Sequence, residues 1–170
     1  MPNLLTRGTA LIGLLKLGTP LGVGYLHESG LRYAEVTLTA AVIKGLRAAP
    51  AVLVAAPAAG KVHEFISAQL FLDYGGTNGF TETADNLVVR YTDGTGVIVS
   101  QAIEMTGFID QVADTMTTVL AKIDAIAAKT ACDAKALVLH NTGDGEIAGN
   151  AANDNVIRAK IVYRVHAAGW

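Results

Sequence analysis

The sequence predicts a mainly β chain: an antiparallel β-sandwich of jelly-roll type with one or two short helices and an extended N-terminal arm. Apolar and polar residues alternate in several short runs, most clearly over residues 157–166. Clusters of Gly, Asn, Asp and Pro punctuate those runs, as turns between strands require. Helical periodicity is weak throughout, and many short strands with little helix argue for a sandwich or jelly roll.

Residues 1–30 carry Gly8, Gly13, Gly18, Gly22, Gly24 and Gly30 among leucines. That spacing suits neither a helix nor a long strand, so residues 1–30 are expected to form an extended arm and residues 31–170 the sandwich domain. The run at 10–18 (ALIGLLKLG) is interrupted by Gly13 and Lys16 and is too short to span a bilayer. The expectation is a protein made in the cytoplasm with no membrane span.

Residues 35–39 read as a short strand. Thr37 or Thr39 is placed to cap a brief helix over 40–48, which Pro50 ends. Residues 51–55 (AVLVA) read as a buried strand. The run 61–74 is a long strand whose even positions, from Val62 to Leu72, are expected to face the core. After a Gly/Asn loop, residues 87–92 form a strand, Asp93-Gly94 a hairpin turn, and 97–103 the return strand. Residues 105–133 are read as a long loop with a helical turn within 109–120, and the Ala-rich stretch 121–129 as a short helix. Residues 137–139 begin another strand, 141–155 form a Gly/Asn/Asp loop, and 157–166 close the sheet. In that last strand Ile157, Ala159, Ile161, Tyr163 and Val165 are expected on the core side, with Arg158, Lys160, Arg164 and His166 facing water.

Hydrophobic residues make up 51% of the chain and charged ones 16%. So apolar a composition on 170 residues implies an oligomer or a docked protein, because large exposed apolar patches mark partner surfaces. The net charge of −2 and the lack of any Lys/Arg run argue against nucleic acid or an anionic membrane as partner. Cys132 stands alone, which excludes an internal disulfide and a Cys-rich zinc site.

No catalytic, cofactor-binding or metal-ligating residue is nominated. His27, His63, His140 and His166 lack ligand spacing and are expected at the surface or at a pore rim. The oxygen-rich stretch from Asn141 to Glu146, with Asn150, Asn153, Asp154 and Asn155, is a turn loop whose spacing fails the EF-hand pattern. Ala59-Gly60-Lys61 is followed by Val62, so it lacks the Ser/Thr of a phosphate loop. Ser29, Ser67 and Ser100 lie in no nucleophile elbow. Asp110 and Asp114 lie one helical turn apart only if that stretch is helical, and 6% aromatic content argues against a sugar-stacking groove. An enzyme is therefore not expected.

Four stretches together resemble a group of small tailed-bacteriophage and prophage virion proteins. They are residues 52–57 (VLVAAP) with Gly60-Lys61; 70–76 (LFLDYGG); 106–111 (TGFIDQ) with Asp114-Thr115; and 137–146 (LVLHNTGDGE), running on to Asn153-Asp154-Asn155 and Tyr163-Arg164-Val165. The resemblance spans about residues 36–166 and carries no catalytic residue with it. It implies a virion location. Small size, apolar excess and the arm favour a capsid cement (decoration) protein, bound to the major capsid protein at capsomer junctions. Cement proteins of sandwich type commonly form homotrimers, which is the expectation here. The alternative is a head-fibre or tail-associated module that binds a host receptor through loops 75–85 and 141–155.

Overall fold

The computed structural model describes residues 30–82 and 85–169, so the expected arm lies outside the described residues apart from Gly30. Ten strands and two short helices follow in order: β1 (Arg32–Thr39), α1 (Ala40–Lys44), β2 (Ala51–Val54), β3 (Lys61–Asp73), β4 (Phe80–Thr81), β5 (Asn86–Tyr91), β6 (Ile103–Glu104), β7 (Thr115–Leu120), α2 (Lys129–Cys132), β8 (Leu137–Asn141), β9 (Ala148–Gly149) and β10 (Val156–Ala167). They form two four-stranded antiparallel sheets, β1-β10-β3-β7 and β2-β8-β5-β6, with a small β4-β9 ladder beside them. Setting that ladder aside and numbering the other eight strands in chain order, the sheets read 1-8-3-6 and 2-7-4-5. That interleaving of two Greek keys is the jelly-roll topology.

One core joins the sheets. Leu38, Leu70, Leu72, Val119, Ile157 and Ile161 of the first meet Leu53, Leu87, Val89, Leu137 and Leu139 of the second. Burying each such side chain contributes about 1.5–3 kcal/mol. The alternation of β10 follows expectation where Ile157, Ala159 and Ile161 are buried and Arg158 and Lys160 exposed. Every residue of β8 is buried, on both faces of its sheet.

The expected face of β3 holds for only half its length. The register against β10 shifts between Val162 and Tyr163, so Ser67 pairs with Val162 and Phe65 with Tyr163, leaving Ile66 as the extra residue. A bulged residue reverses the inward phase of all that precedes it. Ala68, Leu70 and Leu72 are accordingly buried after the bulge, and His63 and Phe65 before it.

Four further expectations are corrected. Residues 115–120 form strand β7, paired with β3, rather than lying in a loop or helix. Thr115, Thr117, Thr118 and Val119 are β-branched, and their poor helix propensity is a strand preference on a pleated surface. Residues 121–128 are not helical; α2 begins only at Lys129. There the Ala121 N–H donates to Ile66 O at 3.2 Å and the Lys122 N–H to Val99 O at 2.8 Å, so sheet pairing overrides alanine's helix propensity. The helix expected over 40–48 stops at Lys44, capped by Gly45, and a turn carries Leu46 back into the core. The return strand at 97–103 is broken at Ser100. Its buried Oγ accepts from the Val89 N–H at 2.8 Å and donates to Gln101 O at 2.7 Å, while the Gln101 N–H crosses to Leu120 O at 2.9 Å.

Candidate interaction surfaces

The outer face of the β1-β10-β3-β7 sheet is a grid of paired rows. The register aligns Tyr33, Val162, Ser67 and Leu120 in one row, Glu35, Lys160, Gln69 and Thr118 in the next, and Thr37, Arg158, Phe71 and Met116 in a third. The cations expected to face water do so, each with a carboxylate in the same sheet. Arg158 reaches Asp73 at 2.5 Å, Lys160 reaches Glu35 at 3.2 Å, and Arg164 reaches Glu64 at 3.4 Å. Lys160 also stands 5.6 Å from the centre of the exposed Tyr33 ring. This face is electrically balanced, with Tyr33, Met116 and Leu120 open to solvent at its corners.

The segment that follows β7 carries more exposed apolar surface. In residues 121–128 (AKIDAIAA), Ile123 is 97% and Ile126 90% exposed. The segment borders a hollow of about 450 Å³ lined by Val88, Ile98, Ser100, Lys122 and Ile123. Two isoleucines left wholly in water, with no element of the described residues packed over them, are the strongest departure from apolar-inside order among the described residues.

Residues 75–79 of the 75–85 loop are brought together with the 141–155 loop, the two loops that the receptor-binding alternative singles out, at one end of the sandwich, where Asn150 and Asn155 latch them. Asn155 Oδ1 accepts from the Gly75 N–H at 2.8 Å and its Nδ2 donates to Asn78 O at 2.8 Å. Asn150 Nδ2 donates to Asn78 O at 2.9 Å and to Asp154 Oδ1 at 2.6 Å, and its Oδ1 accepts from the Asn155 N–H at 3.2 Å. Asn141 closes its own turn through Gly145 O and the Gly143 N–H. All three side chains are buried. The Lys44 ammonium donates to Asn150 O at 2.9 Å and Asn153 Oδ1 at 2.8 Å, so a protein cation already engages this oxygen cluster. The Asn150 and Thr77 side chains hold the Asp154 carboxyl below its ordinary range. Among the described residues no group of three or more His, Cys, Asp or Glu could hold a metal.

Two histidines expected at the surface are buried. His63 is turned inward by the bulge at Ile66; its Nε2–H donates to Ala55 O at 2.8 Å and its ring meets Tyr163 edge-on at 5.1 Å. Nδ1 is then a buried acceptor without a partner, and burial pushes the imidazole below its usual 6.5. His140 lies under the 92–96 turn, close against Gly94, and accepts from Arg90 Nη1 at 3.1 Å. Burial, then the Arg90 charge, lowers it too. His166 stays on the outer face, 2.7 Å from Glu64; His27 lies outside the described residues. Tyr91 donates to His63 O, and burial pushes its phenol up to about 12.

The remaining sequence features are structural. Gly60, at φ +76°, turns β2 into β3 and donates its N–H to Asp133 Oδ1 at 2.8 Å. Asp110 and Asp114 do not form a pair: Asp110 accepts from the Gly107 N–H at 2.8 Å and Asp114 from the Tyr74 N–H at 3.0 Å. Cys132 Sγ lies 3.3 Å from Lys129 O and 3.5 Å from Ala128 O within α2. Ser100 holds the ladder as described above. No helix among the described residues is long and apolar enough to cross a membrane.

No protein-family model and no curated protein matches the chain. Among solved structures it is similar to a chain described as "Capsid of Ralstonia phage GP4", at 16% identity and a TM-score of 0.38, over 80% of this chain and 85% of that one.

Proposed function

We propose that the chain is a structural protein of a tailed-phage particle, a cement protein that docks on the outer capsid shell at capsomer junctions and holds neighbouring capsomers together. The observation that carries this reading is the exposed apolar segment at 121–128, where Ile123 and Ile126 stand clear of the core. A pair of isoleucines presented on a loop suits insertion into a pocket of a large partner, each contributing about 1.5–3 kcal/mol once buried. Repeated over many copies, modest contacts of this kind become firm attachment. The jelly roll is consistent with the reading, since viral capsid domains use it, although lectins and cupins do as well. The sequence resemblance to tailed-phage virion proteins supplies the particle. In this reading the chain works as a homotrimer on the major capsid protein, and has no catalytic role.

The test adds purified protein to heads assembled without it, sediments them, and images them by electron microscopy. Ordered density over capsomer junctions is expected, and it should be lost in the Ile123→Ser/Ile126→Ser double variant while the folded domain keeps its stability within about 0.5 kcal/mol, as surface substitutions do. Protein left wholly in the supernatant would overturn the cement role in favour of a fibre or tail location.

A further inference from the structure

Asn78-Gly79 is the sequence's one Asn-Gly pair. Such a pair can modify itself in water, because glycine offers no side chain to shield its N–H from the carboxamide before it. Gly79 N bonds to Asn78 Cγ, the Cγ–Nδ2 bond breaks, and ammonia leaves with the proton from Gly79 N. Water then opens the succinimide ring. Opening at the Cγ–N bond gives aspartate. Opening at the main-chain carbonyl gives isoaspartate, with an extra methylene in the backbone. The sequence of steps consumes water, releases ammonia and needs no other reagent.

The fold imposes this pair and then restrains it. A Cβ on residue 79 would stand 2.7 Å from Asp110 O, a main-chain atom, so a shielding side chain does not fit there. Asn78 itself is exposed to water. Ring closure brings Gly79 N into line with Asn78 Cβ about the Cα–C bond, outside the α and β regions of an L residue, so the peptide plane has to turn. That plane is pinned. Asn78 O accepts from Asn150 Nδ2 at 2.9 Å and from Asn155 Nδ2 at 2.8 Å. The next carbonyl, Gly79 O, accepts from the Asn150 N–H at 2.9 Å. Both asparagines are buried, so turning the plane orphans buried donors. The reactive geometry is therefore reached only when the loop opens locally.

We propose that Asn78 is a self-modification site whose rate is set by the asparagine latch, and that its conversion to isoaspartate releases the latch irreversibly. The extra methylene displaces Asn78 O from the Asn150 and Asn155 amides. The new carboxylate adds negative charge to a loop whose Thr77 already bonds to Asp154. The end of the sandwich held by Asn150 and Asn155 thus loosens once, some time after folding. Those two asparagines, buried and followed by Ala151 and Val156, stay unconverted. The inference is independent of which particle carries the protein.

The test incubates the full chain at neutral pH and body temperature and follows Asn78 by mass spectrometry of proteolytic fragments, with chromatography to separate aspartate from isoaspartate. Conversion is expected to be slower in the folded chain than in the same chain held in guanidinium, by roughly tenfold or more. Asn150→Ala should recover most of that difference. Ser100→Ala, which breaks a bond elsewhere in the fold, should not. Should Asn150→Ala fail to fold, the folded and denatured rates of the unaltered chain still decide whether the fold restrains the pair. Isoaspartate-bearing protein, isolated by its added charge, should exchange its amides faster at residues 75–79 and 149–155. Equal rates folded and denatured would overturn the proposal. So would conversion in Asn150→Ala as slow as in the unaltered chain, equal acceleration by Ser100→Ala, or unchanged amide exchange after conversion.

Discussion

The asparagine-latched end of the sandwich and the open side between β6 and β7 treat their backbone groups in opposite ways. At the latch, loops with little regular structure have their polar groups answered by Asn150 and Asn155, which bond to Gly75, Asn78 and Asp154. At the open side, regular strands stop short of each other and leave a slot. Irregular chain can thus be closed and regular strand left open; what matters is whether partners lie within reach. The latched end behaves as scaffold, and the open side, with the apolar 121–128 segment leading from it, is where a partner is expected.

The sharpest way to break this contrast is to open the latch. Asn150→Ala removes three side-chain bonds and leaves the buried Asn155 N–H without its acceptor, while Asn78 O keeps its bond from Asn155 Nδ2. A loss of about 3 kcal/mol is expected in urea unfolding, with faster hydrogen exchange confined to residues 75–79 and 149–155. If stability is unchanged, the latch is not what closes that end. Ser100→Ala tests the stitch on the open side: orphaning the buried Val89 N–H should destabilise by about 1–2 kcal/mol.

A pH titration bears on the core between these regions. His63 and His140 both lie below 6.5 in the folded chain, so the unfolded chain takes up protons first as pH falls. The stability from keeping them neutral is complete above about 6.5 and lost as pH drops below it. His63→Gln should make the fall between pH 7 and 5 shallower; an unchanged slope would show that His63 carries none of it. The smallest effect belongs to the balanced outer face. Arg158→Ala breaks a largely exposed pair with Asp73 and should change stability by no more than about 1 kcal/mol.

Much of the scaffold was legible in the sequence. The alternation of β10, the apolar run of β2 and the turn chemistry at 92–96 and 141–155 are local signals, and the strands and turns formed where they pointed. Residues 115–120 were legible too, had their threonines been read as favouring strand and not merely as disfavouring helix. The bulge at Ile66 was not, because β3 carries apolar residues on both sides, Val62 and Ile66 on one and Phe65 and Phe71 on the other, so no break in pattern marks it. The surfaces were less legible still. Composition pointed to exposed apolar area without locating it, and the alanines of 121–128 suggested a helix where the chain is held open by bonds to Ile66 and Val99.

By itself, then, the sequence determined the all-antiparallel character, the identity of most core residues and the turns, because periodicity and turn conformation depend on neighbours along the chain. Only the tertiary structure decided which half of β3 faces inward, that His63 is buried, that the asparagines of one loop lock another, and that β6 and β7 border a common opening. Each of these depends on what a distant strand offers in hydrogen bonds and room, and one extra residue opposite a partner strand is enough to reverse it.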